Sequence, residues 1–174
     1  MKPINIFFLV LVFIASSCKQ DIKLETPKEL KTSTFYFIRH AEKDRTDPSD
    51  KNPHLTEIGY TRANNWSEIL GEIKFDVVYS TDYYRTKETA QPTATKNNID
   101  ITLYDPKQID VQAFLKENEG KTVLLVGHSN TTPAFVNKIL GSNKYQDIDD
   151  SNNGNLYIVT ILGDQISDQV LIIN

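Results

Sequence analysis

Apolar residues along this chain fall into short unbroken runs, separated by stretches with helical spacing. Thr34–Ile38 (TFYFI) reads as a strand that stops at Arg39 and His40. Leu55–Leu70 places Leu55, Ile58, Trp66, Ile69 and Leu70 close to one stripe of a 3.6-residue repeat, with Thr56 as N-cap and Gly71 as stop. Asp76–Ser80 (DVVYS) predicts a second strand. Residues 82–98 predict a second helix that Pro92 kinks or restarts. Ile99–Tyr104 is a short third strand, and Gln108–Asn118 a helix closed by Gly120. Thr122–Gly127 (TVLLVG) is apolar without a break, as in a strand buried on both faces. Thr131–Gly141 is a helix with Pro133 in its first turn, where a missing N–H costs least. Asn155–Leu162 and Gln169–Asn174 form two last strands, joined across Gly163–Ser167.

Strand and helix alternate through four rounds. That pattern predicts a three-layer α/β/α domain around a mostly parallel central sheet, with the final two strands antiparallel. One loop, Asp44–Pro53, stands out as rich in turn formers and charge. Little chain is left for a lid, so a single domain without a large cap is expected.

The N-terminus follows different rules. Lys2 precedes an apolar run from Ile4 to Ala15, too short to span a bilayer comfortably, which takes ~20 residues. Its length and small-residue end are those of a signal peptide over Met1–Ser17. Cys18 follows as the one cysteine of the chain, so no internal disulfide is possible. Ile14-Ala15-Ser16-Ser17-Cys18 resembles the lipobox of bacterial lipoproteins, in which the cysteine is lipidated. An ordinary cleaved signal before an unrelated thiol is the other reading. Residues 18–33 are polar and charged and read as a flexible tether to a domain over residues 34–174. A lipid-anchored protein of the bacterial cell envelope, facing periplasm or exterior and monomeric, is the expectation. Lys2 is the one charged residue in the signal segment, so its removal takes the formal charge from −4 to −5. With no Lys/Arg run and an acidic balance, nucleic acid is not an expected partner. Any anion must be held by a local site.

In sheets of this kind ligands bind beyond the carboxyl ends of the strands. Those ends carry Arg39-His40, Ser80-Thr81 with Arg85 a turn later, Asp105, and Gly127-His128-Ser129-Asn130. Two arginines facing one cleft repel each other unless an anion lies between them, and guanidinium groups bind phosphate or carboxylate through paired hydrogen bonds. No acidic cluster surrounds the histidines and the arginines would repel a cation, so no metal is expected. A neutral imidazole remains as a candidate nucleophile.

Arg39-His40-Ala41-Glu42 resembles the RHG/AE signature of the histidine phosphatase superfamily, the phosphoglycerate-mutase-like fold. Further resemblances follow in order: Leu55–Gly59 (LTEIG) to the family's L-T-x-x-G helix start, Tyr79–Pro92 to its S-x-x-x-x-R turn and T-A-x-P helix, Leu103–Asp105 to its L-x-E segment with aspartate for glutamate, and Val126–Ser129 to its second histidine motif. Together they span about residues 34–161. The resemblance implies that His40 attacks phosphorus, that Arg39, Arg85 and His128 hold the phosphoryl oxygens, and that Asp105 donates the proton to the leaving oxygen. Glu42 is the rival acid, or a support of the site. Asn130 and Glu42 are further substrate-binding candidates, and no metal or cofactor is implied.

Each residue has a blander reading. Asp105 precedes Pro106 and could simply open a turn. Arg85 could pair with Glu88 or Glu42 on a helix surface. His54 and the loop beside Lys43 could be solvated, and Tyr83 and Tyr84 could be cleft wall and no more. The expected function is metal-independent hydrolysis of a phosphomonoester through a phosphohistidine on His40. A protein phosphohistidine phosphatase, a mutase-type transferase and a tethered phosphate-binding module without catalysis are the alternatives.

Overall fold

A computed structural model describes residues 29–173. Met1–Ser17, Cys18 and the tether through residue 28 lie outside the described residues. Among those described, no helix is long and apolar enough to cross a membrane.

Six strands and four helices alternate in the expected order: β1 (Thr32–Arg39), α1 (Glu57–Ile69), β2 (Val77–Ser80), α2 (Tyr84–Asn97), β3 (Ile101–Leu103), α3 (Val111–Glu117), β4 (Thr122–Gly127), α4 (Thr131–Leu140), β5 (Asn155–Leu162) and β6 (Gln165–Ile172). They form one sheet in the order β3-β2-β4-β1-β5-β6. The first four strands run parallel, and β5 and β6 are antiparallel to their neighbours. Phe35, Phe37, Val123, Leu125 and Val159 point to one face and pack with Phe114 of α3 and Phe135 and Ile139 of α4. Ile38, Val78, Leu124, Val126 and Leu156 point to the other and pack with Trp66 of α1 and Ala90 and Ala94 of α2. This is the three-layer α/β/α domain without a large cap.

Several boundaries differ from the sequence expectation for identifiable reasons. β1 starts at Thr32, two residues before the expected domain edge, because Ser33 is buried and its Oγ accepts a hydrogen bond from Gly120 N at 2.7 Å. α2 runs through Pro92 without stopping. Its Thr89, Ala90, Thr93 and Ala94 face is buried, and packing of that face outweighs the ~3 kcal/mol a helical proline costs. α3 is shorter than expected, because Asp110 caps it through Gln112 N and Ala113 N. β6 starts at Gln165, directly after the Gly163-Asp164 turn.

In α1 the stripe is rotated. Thr56 is the N-cap as expected, accepting from Gly59 N at 3.1 Å. Trp66 and Leu70 are buried, but Ile58 and Ile69 face solvent. The helix seats on Gly59 instead: a Cβ there would lie 2.2 Å from the carbonyl oxygen of Glu42. Only glycine allows that approach, and it presses the start of α1 against the segment that follows His40.

Candidate active site

The parallel register of β1 and β4 sets Arg39 beside Gly127. The next residues are His40 and His128, and His40 N donates to Gly127 O at 2.9 Å. The two imidazoles therefore meet edge to face with centroids 5.5 Å apart. β2 lies on the far side of β4, so Thr81 and the start of α2 close the same end of the sheet.

His40 is held on three sides. Its Nδ1 lies 2.7 Å from Ala41 O. A carbonyl can only accept, so Nδ1 carries the proton and Nε2 keeps the lone pair. Its own carbonyl accepts from Asn153 Nδ2 at 2.8 Å, and Ala41 N donates to Thr89 Oγ1 at 2.9 Å. Burial lowers the His40 pKa to about 3, helped by His128, Arg39 and Arg85 and opposed by the Ala41 hydrogen bond. The ring is neutral at pH 7, as a nucleophile must be.

His128 Nε2 contacts Thr81 Oγ1 at 2.9 Å, and Thr81 Oγ1 is backed by Thr86 Oγ1 at 2.9 Å. Burial, and then Arg85, Lys43 and Arg39, lower its pKa to about 4. The Tyr83 and His128 rings meet at right angles with centroids 5.1 Å apart, and Arg85 Cζ lies over the Tyr83 ring, 4.3 Å from its centroid. One aromatic ring thus fixes both groups.

The arginines are the unusual part. Arg39 is 2% exposed. Its Nη1 donates to the carbonyls of Asp149, Asp150 and Asn152 at 2.9, 3.2 and 2.9 Å, and its Nη2 to Asp150 Oδ1 at 2.8 Å. Its Nε is buried without a partner, as are Nε and Nη1 of Arg85. Buried cationic donors left open in this way are costly. Three of them, beside a neutral imidazole, define a place for an oxyanion. Among the described residues no group of three or more His, Cys, Asp or Glu side chains comes together as a metal site.

Residues 35–106, the segment that runs from β1 past the start of α2 to the turn after β3, match the family model of the histidine phosphatase superfamily (branch 1). No curated protein matches the chain by sequence. Solved structures match it in fold. One is a proposed phosphohistidine phosphatase, SixA, from Agrobacterium tumefaciens (TM-score 0.60, 20% identity, 81% of this chain and 99% of that one). Another is a proposed α-ribazole-5'-P phosphatase from Escherichia coli (TM-score 0.65, 16% identity, 81% and 96%). A third is a phosphoserine phosphatase from Entamoeba histolytica (TM-score 0.58, 16% identity, 75% and 95%). The family match over residues 35–106 supports a phosphoric monoester hydrolase, and the solved structures show the fold.

At this end of the sheet Arg39, His40, Arg85 and His128 come together, whereas the other candidates take separate places. Glu42 accepts from Arg62 Nε at 2.8 and 3.0 Å and ties α1 to the segment after His40. Asp105 is exposed and its Oδ1 accepts from Lys107 N at 2.9 Å, the turn-opening role. Asn130 is exposed at the start of α4, with no side-chain cap bond. His54 is bonded to Glu88 and stacks on Tyr84 at 4.2 Å, outside the His40–His128 pair. Lys43 is half-buried, and burial, then Arg85 and Arg45, lower its pKa.

The cleft also uses residues that sequence reasoning passed over. Asn153, Asp150 and the carbonyls between them belong to Asp147–Asn155 (DIDDSNNGN), a second stretch rich in turn formers besides Asp44–Pro53. A signal was available. An antiparallel β5 must begin at the carboxyl end of β1, so the loop that feeds it has to land on the site.

Proposed function

We propose that the protein is a phosphatase that hydrolyses a phosphomonoester through a phosphohistidine on His40. The unpartnered guanidinium donors of Arg39 and Arg85 around a neutral His40 carry this reading. The phosphoryl oxygens take up the Arg39 Nε, the Arg85 Nε and Nη1, and the His128 ring. His40 Nε2 attacks phosphorus, the bond to the ester oxygen breaks, and the leaving group departs with a proton. Water then attacks phosphorus, giving its proton back to the acid that protonated the leaving group, and the P–N bond breaks to release inorganic phosphate and neutral His40. The cations neutralise charge that spreads over the oxygens in both steps.

A second reading, hydrolysis of protein phosphohistidine, is favoured by one observation. The carboxylates near the cleft are committed elsewhere: Glu42 to Arg62, Asp105 to Lys107 N, Asp150 to Arg39 and Arg45. A leaving imidazole nitrogen needs less acid help than an alkoxide. Asp105 remains the proposed donor for esters, which requires it to leave its turn. The N-terminal sequence supports a lipid anchor at Cys18 and a place in the bacterial envelope.

Turnover of p-nitrophenyl phosphate by the protein and by His40→Ala, with a chelator present, tests the first reading. The parent turns over and the mutant does not. No turnover by the parent, or equal turnover by the mutant, sinks it. Release of phosphate from phosphorylated histidine peptides tests the second reading directly.

A further inference from the structure

Asp150 stands apart from the other acids near the cleft. Among the described residues, it is the one carboxylate paired with either cleft arginine. Its Oδ1 lies 2.8 Å from Arg39 Nη2 and 2.7 Å from Arg45 Nη2, while the side chain is 70% exposed. Three carbonyls fill Nη1 of Arg39, the carboxylate fills Nη2, and Nε stays open. A phosphoryl group that takes Nε must therefore share one guanidinium with an anion already present.

We propose that Asp150 is a built-in competitor for the phosphoryl group: its charge neutralises buried Arg39 in the empty cleft and weakens the hold on inorganic phosphate after turnover. The proposal rests on the phosphatase reading of the cleft. A buried guanidinium without a counter-charge is costly. A carboxylate meets that need when the cleft is empty. Once a phosphate dianion arrives, the two anions lie about a guanidinium's width apart and repel. Arg45 draws on the same carboxylate oxygen from the rim. The exposed position of Asp150 keeps it hydrated, so the repulsion is modest. Asp150 does not touch the reacting atoms. It is a positioning residue that acts through Arg39.

Calorimetric titration of the purified protein with inorganic phosphate reads this directly, together with phosphate inhibition of p-nitrophenyl phosphate turnover. Asp150→Asn keeps an oxygen for Arg39 Nη2 and removes the charge. Phosphate should bind about fivefold more tightly, the scale of one charge pair a few ångströms apart in water. A loop that merely props Arg39 predicts the opposite, weaker binding. Asp164→Asn, in the β5–β6 turn, makes the same change of net charge and should leave affinity within about twofold, since it is screened. Unchanged or weaker phosphate binding by Asp150→Asn overturns the proposal. Should that variant melt, Arg45→Gln carries the test. It releases Asp150 to Arg39 alone, so phosphate should bind more weakly, and equal or tighter binding overturns the proposal. A parent protein that binds no phosphate at all defeats the phosphatase reading itself.

Discussion

The imidazoles of His40 and His128 face each other at 5.5 Å, and each is held by a neutral oxygen: the Ala41 carbonyl for one, the Thr81 hydroxyl for the other. Among the described residues no carboxylate holds either ring, and the Ala41 hydrogen bond only partly offsets burial and the nearby cations at His40. The pKa values fall to about 3 and about 4. The nucleophile is the neutral form, present above its pKa. kcat/KM, corrected for ionisation of the substrate, should therefore stay level from pH 7 to about 5 and drop below about 4. A pH profile with an inflection near 6.5 would contradict the geometry.

The same shifts bear on stability. Unfolded histidine takes up a proton near pH 6.5, whereas these two folded rings do not until about 4 and about 3. Protons thus favour the unfolded chain as pH falls below ~6.5. Urea midpoints should decline between pH 6.5 and 5, and His128→Asn should flatten that decline. An equal slope in parent and variant would refute it.

Dependence on the leaving group follows from the committed carboxylates. Turnover of a series of aryl and alkyl phosphates should fall steeply as the leaving-group pKa rises. Asp105→Asn should steepen that slope, because Asp105 is the proposed donor, and an unchanged slope would mean that it keeps its turn on Lys107 N during turnover. A slope that steepens in Asp105→Asn identifies it as the acid. One that steepens in Glu42→Gln identifies Glu42.

Thr89 has no contact with phosphate, yet its Oγ1 accepts from Ala41 N at 2.9 Å and donates to Arg85 O at 2.7 Å, joining both halves of the site. Thr89→Val leaves a buried N–H unpaired, at about 1–3 kcal/mol of stability. Misplacement of His40 should lower kcat about 10-fold or more. Thr89→Ser should restore both, and failure of that rescue would mean that the methyl group, not the hydroxyl, matters.

Gly59→Ala should destabilise the protein by about 1–3 kcal/mol, because its Cβ would meet Glu42 O at 2.2 Å. Chemical denaturation measures the loss. A neutral substitution would show that α1 can shift without cost.

Much of this site was legible because each residue ended an apolar run. Arg39-His40 and Gly127-His128 interrupt the two most buried strands, and Arg85 falls one turn into a helix that follows a third. Strand ends in a parallel sheet share one edge, so linear spacing translated into proximity. Asp149–Asn153 was not legible in that way. Its contribution is mostly backbone carbonyls, which any residue supplies, and its place depends on how an antiparallel strand joins the sheet. The rotated face of α1 was hidden for a related reason: a glycine contact, not an apolar stripe, sets which side packs. Asp105 looked apt by position in the chain, but an Asp-Pro pair satisfies its own backbone first.

β1 has Thr32 at one end and Arg39 at the other. Eight residues of strand put ~25 Å between the point where the chain enters the sheet and the cleft. Entry of the chain into the sheet and the cleft therefore lie at opposite ends of β1. A partner or surface that holds the protein by its N-terminal side leaves the cleft mouth unobstructed.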